Sequence, residues 1–267
     1  MKIIILPDAH SVCGLAADII AQTIRQKPEA VLGLATGRTM EAIYAGLCER
    51  HRTGQVDVAS ITSFNLDEYV GLPKNHPQSY RHYMREKLFD SVGVPEIRGH
   101  VPCGDALNPD QEAASYDQAI AEAGGIDLQL LGLGGNGHIG FNEPLSGFRT
   151  RTRVVALAEA TLAQNSGMFE GDPDQVPKCA ITMGVGTILE AKSILLVATG
   201  AAKAEAVAGS IEGPLSSVVP GSAVQMHQEC LVLLDEQAAS GLKRRASIEW
   251  QMKHDPELSH LIGQYCS

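Results

Sequence analysis

Short, unbroken apolar runs recur along this chain, and amphipathic, alanine-rich stretches fill the intervals between them. The runs fall at residues 3–6, 30–35, 61–66, 128–133, 193–199 and 230–234. They are apolar at nearly every position rather than at every second one, so they read as strands buried on both faces. Helix-like segments lie at 11–26, 39–51, 79–89, 109–123, 185–191, 202–211 and 237–250. Strand followed by helix, several times over, predicts an α/β fold with a doubly wound, mostly parallel sheet and helices on both faces, in three layers. There is no internal repeat, low-complexity tract or linker in the 267 residues, and a single domain over 1–267 is expected.

Composition narrows the function classes. Apolar residues make up 44% and aromatics only 4%, so the core is to be built from Val, Ile, Leu and Ala. The formal net charge of −10 opposes a general affinity for nucleic acid or an anionic membrane, and a phosphate ligand would need a local cationic pocket. Six cysteines, at 13, 48, 103, 179, 230 and 266, form no C-x-x-C pair. With no long apolar signal segment at the amino terminus, reduced thiols in a cytoplasm are expected. No apolar run approaches the ~20 residues of a membrane helix.

Four segments carry chemistry. GLGGNGHIGFNEP, at 132–144, places His138 and Glu143 on a glycine-rich turn straight after the buried run DLQLL at 127–131. Ligands of open α/β sheets sit outside the carboxyl ends of strands, so this turn faces a crevice. Its glycines also satisfy G-x-G-x-x-G, but Gly140, Asn142 and Pro144 follow at once, where a dinucleotide fingerprint needs a helix. LGLATGRT, at 32–39, runs a strand into Thr36, Gly37, Arg38 and Thr39 at a helix start, where free N–H groups, hydroxyls and a guanidinium can wrap an anion. It lacks the G-K-[ST] of a nucleotide-hydrolysing loop. In FNLDEYVGL, at 64–72, Asp67 and Glu68 close another apolar strand; adjacent side chains on a strand point to opposite sides, so one faces the crevice and the other is structural or at a rim. ATGAAKAEAV, at 198–207, sets Lys203 in the first turn of a helix, where it is either part of a solvated face or a ligand that reaches a phosphate.

These segments, with ITMGVGTIL at 181–189, occur in the order seen in the glucosamine-6-phosphate deaminase family, which the chain resembles over nearly its whole length. The resemblance implies a Rossmann-like fold and an aldose-to-ketose isomerisation coupled to loss of ammonia, giving fructose 6-phosphate from glucosamine 6-phosphate. No metal or organic cofactor is implied, and a homo-oligomer, a hexamer or smaller, is. By the family's pattern Asp67 moves the proton between C2 and C1, and His138 assists ring opening. Glu143 orients His138, and Asn136 stands where well-known members carry an Asp; Thr36, Gly37, Arg38, Thr39 and Lys203 are the candidate phosphate ligands.

The chain departs from that pattern in NSGMF, at 165–169, where Gly167 replaces a phosphate-gripping Arg, while Arg38 stands where a small residue is common. Arg38 is expected to supply the missing charge. Some members are switched on by N-acetylglucosamine 6-phosphate between subunits. Arg153 matches one basic residue of that site, but Val155 replaces the other, so activation is not expected. The loop 171–177, polar and loosely patterned, is a candidate lid. Alternatives are a galactosamine-6-phosphate deaminase, a 6-phosphogluconolactonase-like hydrolase, and a silent sugar-phosphate sensor, for which no output helix-turn-helix is visible.

Overall fold

The computed structural model describes residues 1–263, so Cys266 lies outside the described residues. In chain order the amino-terminal half forms β1 (Lys2–Leu6), α1 (Ala9–Gln26), β2 (Val31–Leu34), α2 (Arg38–Arg52), β3 (Thr62–Asn65), β4 (Asp67–Tyr69) and α3 (Tyr80–Met84). A π turn at Arg85–Phe89 carries α3 into α4 (Asp90–Val92), followed by β5 (Gly99–His100), α5 (Pro109–Glu122) and β6 (Leu128–Leu131). The remainder forms β7 (Arg153–Ala156), α6 (Glu159–Asn165), β8 (Cys179–Thr182), α7 (Val185–Leu189), β9 (Ser193–Ala198), α8 (Ala204–Ile211), β10 (Cys230–Asp235), α9 (Arg245–His254) and α10 (Pro256–Ile262).

Seven strands pair in the order β1-β10-β9-β6-β2-β3-β5, every pair parallel. β1, β2, β9 and β10 are almost wholly buried, which is why their sequences are nearly continuously apolar; β3 (TSFN) and β6 (LQLL) bury polar side chains as well. Helices cover both faces, as the strand-and-helix rhythm predicts. Their starts are locally encoded: Asp8 accepts from Ser11 N at 2.8 Å to cap α1, Ser79 from His82 N at 3.1 Å to cap α3, and Asn108 from Gln111 N at 3.1 Å ahead of Pro109 in α5. Among the described residues no helix is long and apolar enough to cross a membrane.

Two expectations need correction. The first concerns Asp67 and Glu68, which were to close the parallel strand at 61–66. Instead β3 ends at Asn65, Leu66 bridges between sheets, and Asp67 and Glu68 open β4 in a second, three-stranded sheet ordered β4-β8-β7 and antiparallel throughout. Leu66 accomplishes the switch: its N–H donates to Leu34 O of the parallel sheet at 3.0 Å, and its carbonyl accepts from Met183 N at 2.7 Å. The second concerns the helix expected over 237–250. Asp235 accepts from Ala238 N at 2.7 Å, which tightens 238–241 into a 3-10 turn, and the chain is extended at Leu242 before α9 begins.

Candidate active site

Loops at the carboxyl ends of β2, β6 and β9, together with β4, carry the residues singled out above. After β6 the loop 132–144 folds back on itself, with Gly137 N donating to Gly134 O at 3.0 Å and Gly134 N to His138 O at 2.9 Å. A Cβ on residue 134 would lie 2.3 Å from the His138 ring, so glycine there lets the imidazole lie against the backbone. At residue 140 (φ +56) a Cβ would lie 3.3 Å from Asp67 Oδ2 and 3.0 Å from Thr182 Oγ1. The loop that carries His138 thus passes directly over the Asp67 carboxylate.

Glu143 is the hub of this loop. Its Oε2 accepts from Asn136 Nδ2 at 2.9 Å and lies 3.6 Å from His138 Nδ1, while Oε1 accepts from the Thr161 hydroxyl on α6. Burial pushes the carboxyl upward, but the contacts with His138, Thr161 and Asn136 outweigh it and hold it at about 2. Asn136 Oδ1 also accepts from His138 N at 3.2 Å, so one amide fixes both members of the pair.

The two carboxylates of β4 face opposite ways, as the strand geometry predicts. Glu68 accepts from Tyr69 N at 2.9 Å, Tyr80 N at 3.0 Å and Arg81 N at 3.0 Å, tying β4 to the first turn of α3. Burial nevertheless drives it up to about 7, against the pull of those N–H groups and of Arg81. Asp67, only 6% exposed, is raised further, to about 8, by burial first and by the Glu68 charge second. A carboxyl poised near neutrality is what proton transfer from carbon requires.

A second cluster gathers around the start of α2. Gly37 (φ +115) caps that helix without a side chain, and Tyr83 pins the turn by donating to Gly37 O at 2.9 Å. Thr39 Oγ1 meets Thr199 Oγ1 at 3.2 Å, joining the β2 and β9 loops. Arg38 is exposed. Lys203 sits on a 3-10 turn just before α8, forms no ion pair among the described residues, and is lowered by desolvation. Asp235 receives Gly200 N with both oxygens, at 3.0 and 2.9 Å, and so fixes the turn that presents Lys203. Gly167 lies on an exposed turn after α6 with no neighbour within 4 Å of a would-be Cβ, and it contributes nothing to this cluster.

Sequence reasoning missed several of these residues. Thr161, Thr199 and Asp235 lie outside the quoted motifs' marked positions, and only Asp235, closing an apolar run, left a signal. The segment at 171–177 is a loop, as expected, but the element resting on the site is α6, through Thr161 and through Asn165, whose Nδ2 donates to Tyr69 at 2.8 Å. A cavity of about 390 Å³ lies behind Glu143, lined by Phe141, Leu145, Arg153 and Val155. Within it the Arg153 guanidinium is already engaged by Asn142 Oδ1 at 2.9 Å. Among the described residues no three His, Cys, Asp or Glu side chains are grouped as metal ligands would be.

A profile of the family described as glucosamine-6-phosphate isomerases/6-phosphogluconolactonase matches residues 8–233. A glucosamine-6-phosphate deaminase of Shewanella woodyi is 49% identical over 245 residues, 92% of each chain. A solved monomeric glucosamine-6-phosphate deaminase superposes with a TM-score of 0.88 at 44% identity, covering 91% of this chain and 100% of that one. A 6-phosphogluconolactonase from Trypanosoma cruzi, at 22% identity and a TM-score of 0.72 over 91% and 97% of the chains, shares the fold. The chain belongs to the glucosamine-6-phosphate isomerase/6-phosphogluconolactonase family, on its deaminase branch.

Proposed function

We propose that this enzyme converts glucosamine 6-phosphate and water into fructose 6-phosphate and ammonia, in a cytoplasm and as a single α/β domain. The observation that carries the reading is the approach of the loop at Gly140 to Asp67 Oδ2, because it sets a ring-opening pair beside a carboxyl poised near neutrality. His138, steadied by Glu143 and Asn136, exchanges protons with the sugar's ring and anomeric oxygens, giving the open aldehyde. Asp67 takes the proton from C2 and returns it to C1, leaving an imine at C2. Water adds to that imine and ammonia leaves. A Glu and a His divide a comparable proton transfer in triosephosphate isomerase.

The phosphate end is assigned to Thr36, Gly37, Arg38, Thr39 and Lys203. The first N–H groups of α2, the hydroxyls, Lys203 and the exposed Arg38 supply the donors that an overall acidic chain must concentrate locally. Arg38 takes the place of the side chain that Gly167 lacks. Val155 offers no second cation beside Arg153, so N-acetylglucosamine 6-phosphate is not expected to activate. Self-association, if it occurs, would use the exposed Leu145 and Val218 beside the catalytic loop, and sedimentation decides between that and a monomer.

The test is product analysis of the purified chain on glucosamine 6-phosphate, galactosamine 6-phosphate and 6-phosphogluconolactone. Ammonia and fructose 6-phosphate in equal amounts from the first is the expected result. Preference for the second substrate would reassign the sugar, and turnover of the lactone alone would overturn the reading.

A further inference from the structure

The helix whose first N–H groups are assigned to the phosphate begins at a glycine, which holds its own conformation weakly. Gly37 (φ +115, ψ 170) has no side chain with which to tie down the start of α2. Its carbonyl accepts from Met40 N at 3.0 Å and from Glu41 N at 3.3 Å within the first turn. A third donor reaches the same oxygen from another element, the Tyr83 phenol of α3 at 2.9 Å. The first N–H groups of a helix have no intrahelical acceptor, and among the described residues Arg38 N and Thr39 N meet none outside it.

α3 is firmly seated. Tyr80 N and Arg81 N each donate to the Glu68 carboxylate at 3.0 Å, His82 N to Ser79 Oγ at 3.1 Å, and Tyr83 N to Ser79 O at 3.1 Å. Met84, next to Tyr83, is wholly buried. Glu68 adjoins Asp67 on β4, so α3 runs from the strand that bears the proposed base to the turn that bears the proposed phosphate ligands.

We propose that Tyr83 is a positioning residue that aims the Arg38 N–H at the substrate's phosphate. The proposal rests on the phosphate site assigned above. The peptide group joining residues 37 and 38 is planar, and its C=O and N–H point in opposite directions. Holding the Gly37 oxygen therefore fixes the line of the Arg38 N–H, which projects from the other side of the peptide, out of the helix start. Without the phenol that plane is held only by two end-turn bonds and can swing about glycine torsions. A donor already aimed binds an anion more tightly than one that must be ordered on binding. The phenol is spent on Gly37 rather than on substrate, so its effect falls on binding and not on proton transfer.

Amide NMR spectra of the whole chain, titrated with inorganic phosphate and read beside steady-state kinetics, test this. In the wild type the Arg38 amide proton should move downfield and saturate with phosphate. Tyr83→Phe removes only the hydroxyl of a half-buried ring. The Kd for phosphate and the KM for glucosamine 6-phosphate should both rise in that variant by about three- to tenfold, the order of one net hydrogen bond, with kcat within about twofold of the wild type. Tyr83→Leu, which removes the ring as well, should bind phosphate no better than Tyr83→Phe. Unchanged Kd and KM in Tyr83→Phe would overturn the proposal, as would a loss confined to Tyr83→Leu or one that falls on kcat alone. A wild-type Arg38 amide that ignores phosphate would instead sink the phosphate site itself, and the proposal with it.

Discussion

At the residue scale the site turns on carboxyl groups that share one chemistry and are shifted in opposite directions. Glu143 is bathed in donors and stays ionised at about 2, whereas Asp67 is buried beside another carboxylate and rises to about 8. The first can orient a histidine, and the second can both take and return a proton. Arg38 is exposed at the start of α2, where the proposed phosphate end lies. If it replaces the charge absent at Gly167, Arg38→Ala should raise KM for the sugar phosphate by about tenfold or more with little change in kcat, the loss expected of one charge-assisted hydrogen bond. Steady-state kinetics decide this, and an unchanged KM would leave the phosphate to Lys203 and the helix start. Asp67, His138 and Glu143 were all legible as residues because each stands in a motif. Their relationship was not, since nothing in a sequence says that Gly140 passes over Asp67.

At the element scale, legibility followed burial. Six of the seven parallel strands were readable because they lie in largely apolar runs buried on both faces, whereas the two-residue edge strand β5 (Gly99–His100) left no such run. β4, β7 and β8 were not, because DEY, RVVA and CAIT are too short for alternation to show, and β4 continues directly from an apolar run. α6 was invisible for a related reason: EATLAQN holds one fully buried residue, Thr161, so no apolar stripe marks it, although it supplies a donor to Glu143. The loop 132–144 depends on its glycines in a way that can be tested. Gly140→Ala would force a positive φ on an L residue and push a methyl toward Asp67 and Thr182. It should lower kcat by about 10²-fold through displacement of reacting groups while the far-UV circular dichroism stays native. Native turnover by that variant would mean that the loop's approach to Asp67 is incidental.

At the scale of the whole molecule, the buried carboxyl groups of β4 have a cost in stability. Asp67 and Glu68 bind protons more tightly in the folded state than in the unfolded chain, where carboxyls titrate near ~4. Their contribution to stability is therefore complete below about pH 4 and is lost as pH rises through the folded values of about 7 and about 8. Glu143 acts in the opposite sense, but only as pH falls from about 4.5 toward 2, outside that window. Asp67→Asn removes the titrating group and should melt higher than the wild type at pH 8, by about 2–4 °C for each kcal/mol regained. The difference should close toward pH 4. A gap that is constant with pH, or reversed, would mean that the Asp67 carboxyl is not raised.

The most direct measurement is ammonia release from glucosamine 6-phosphate by Asp67→Asn beside the wild type, with substrate binding followed separately by titration calorimetry. The predicted result is a fall in kcat of about 10²–10⁴-fold, the usual worth of a general base, with binding retained. Turnover close to that of the wild type would remove Asp67 from the proton transfer and contradict the account at its centre.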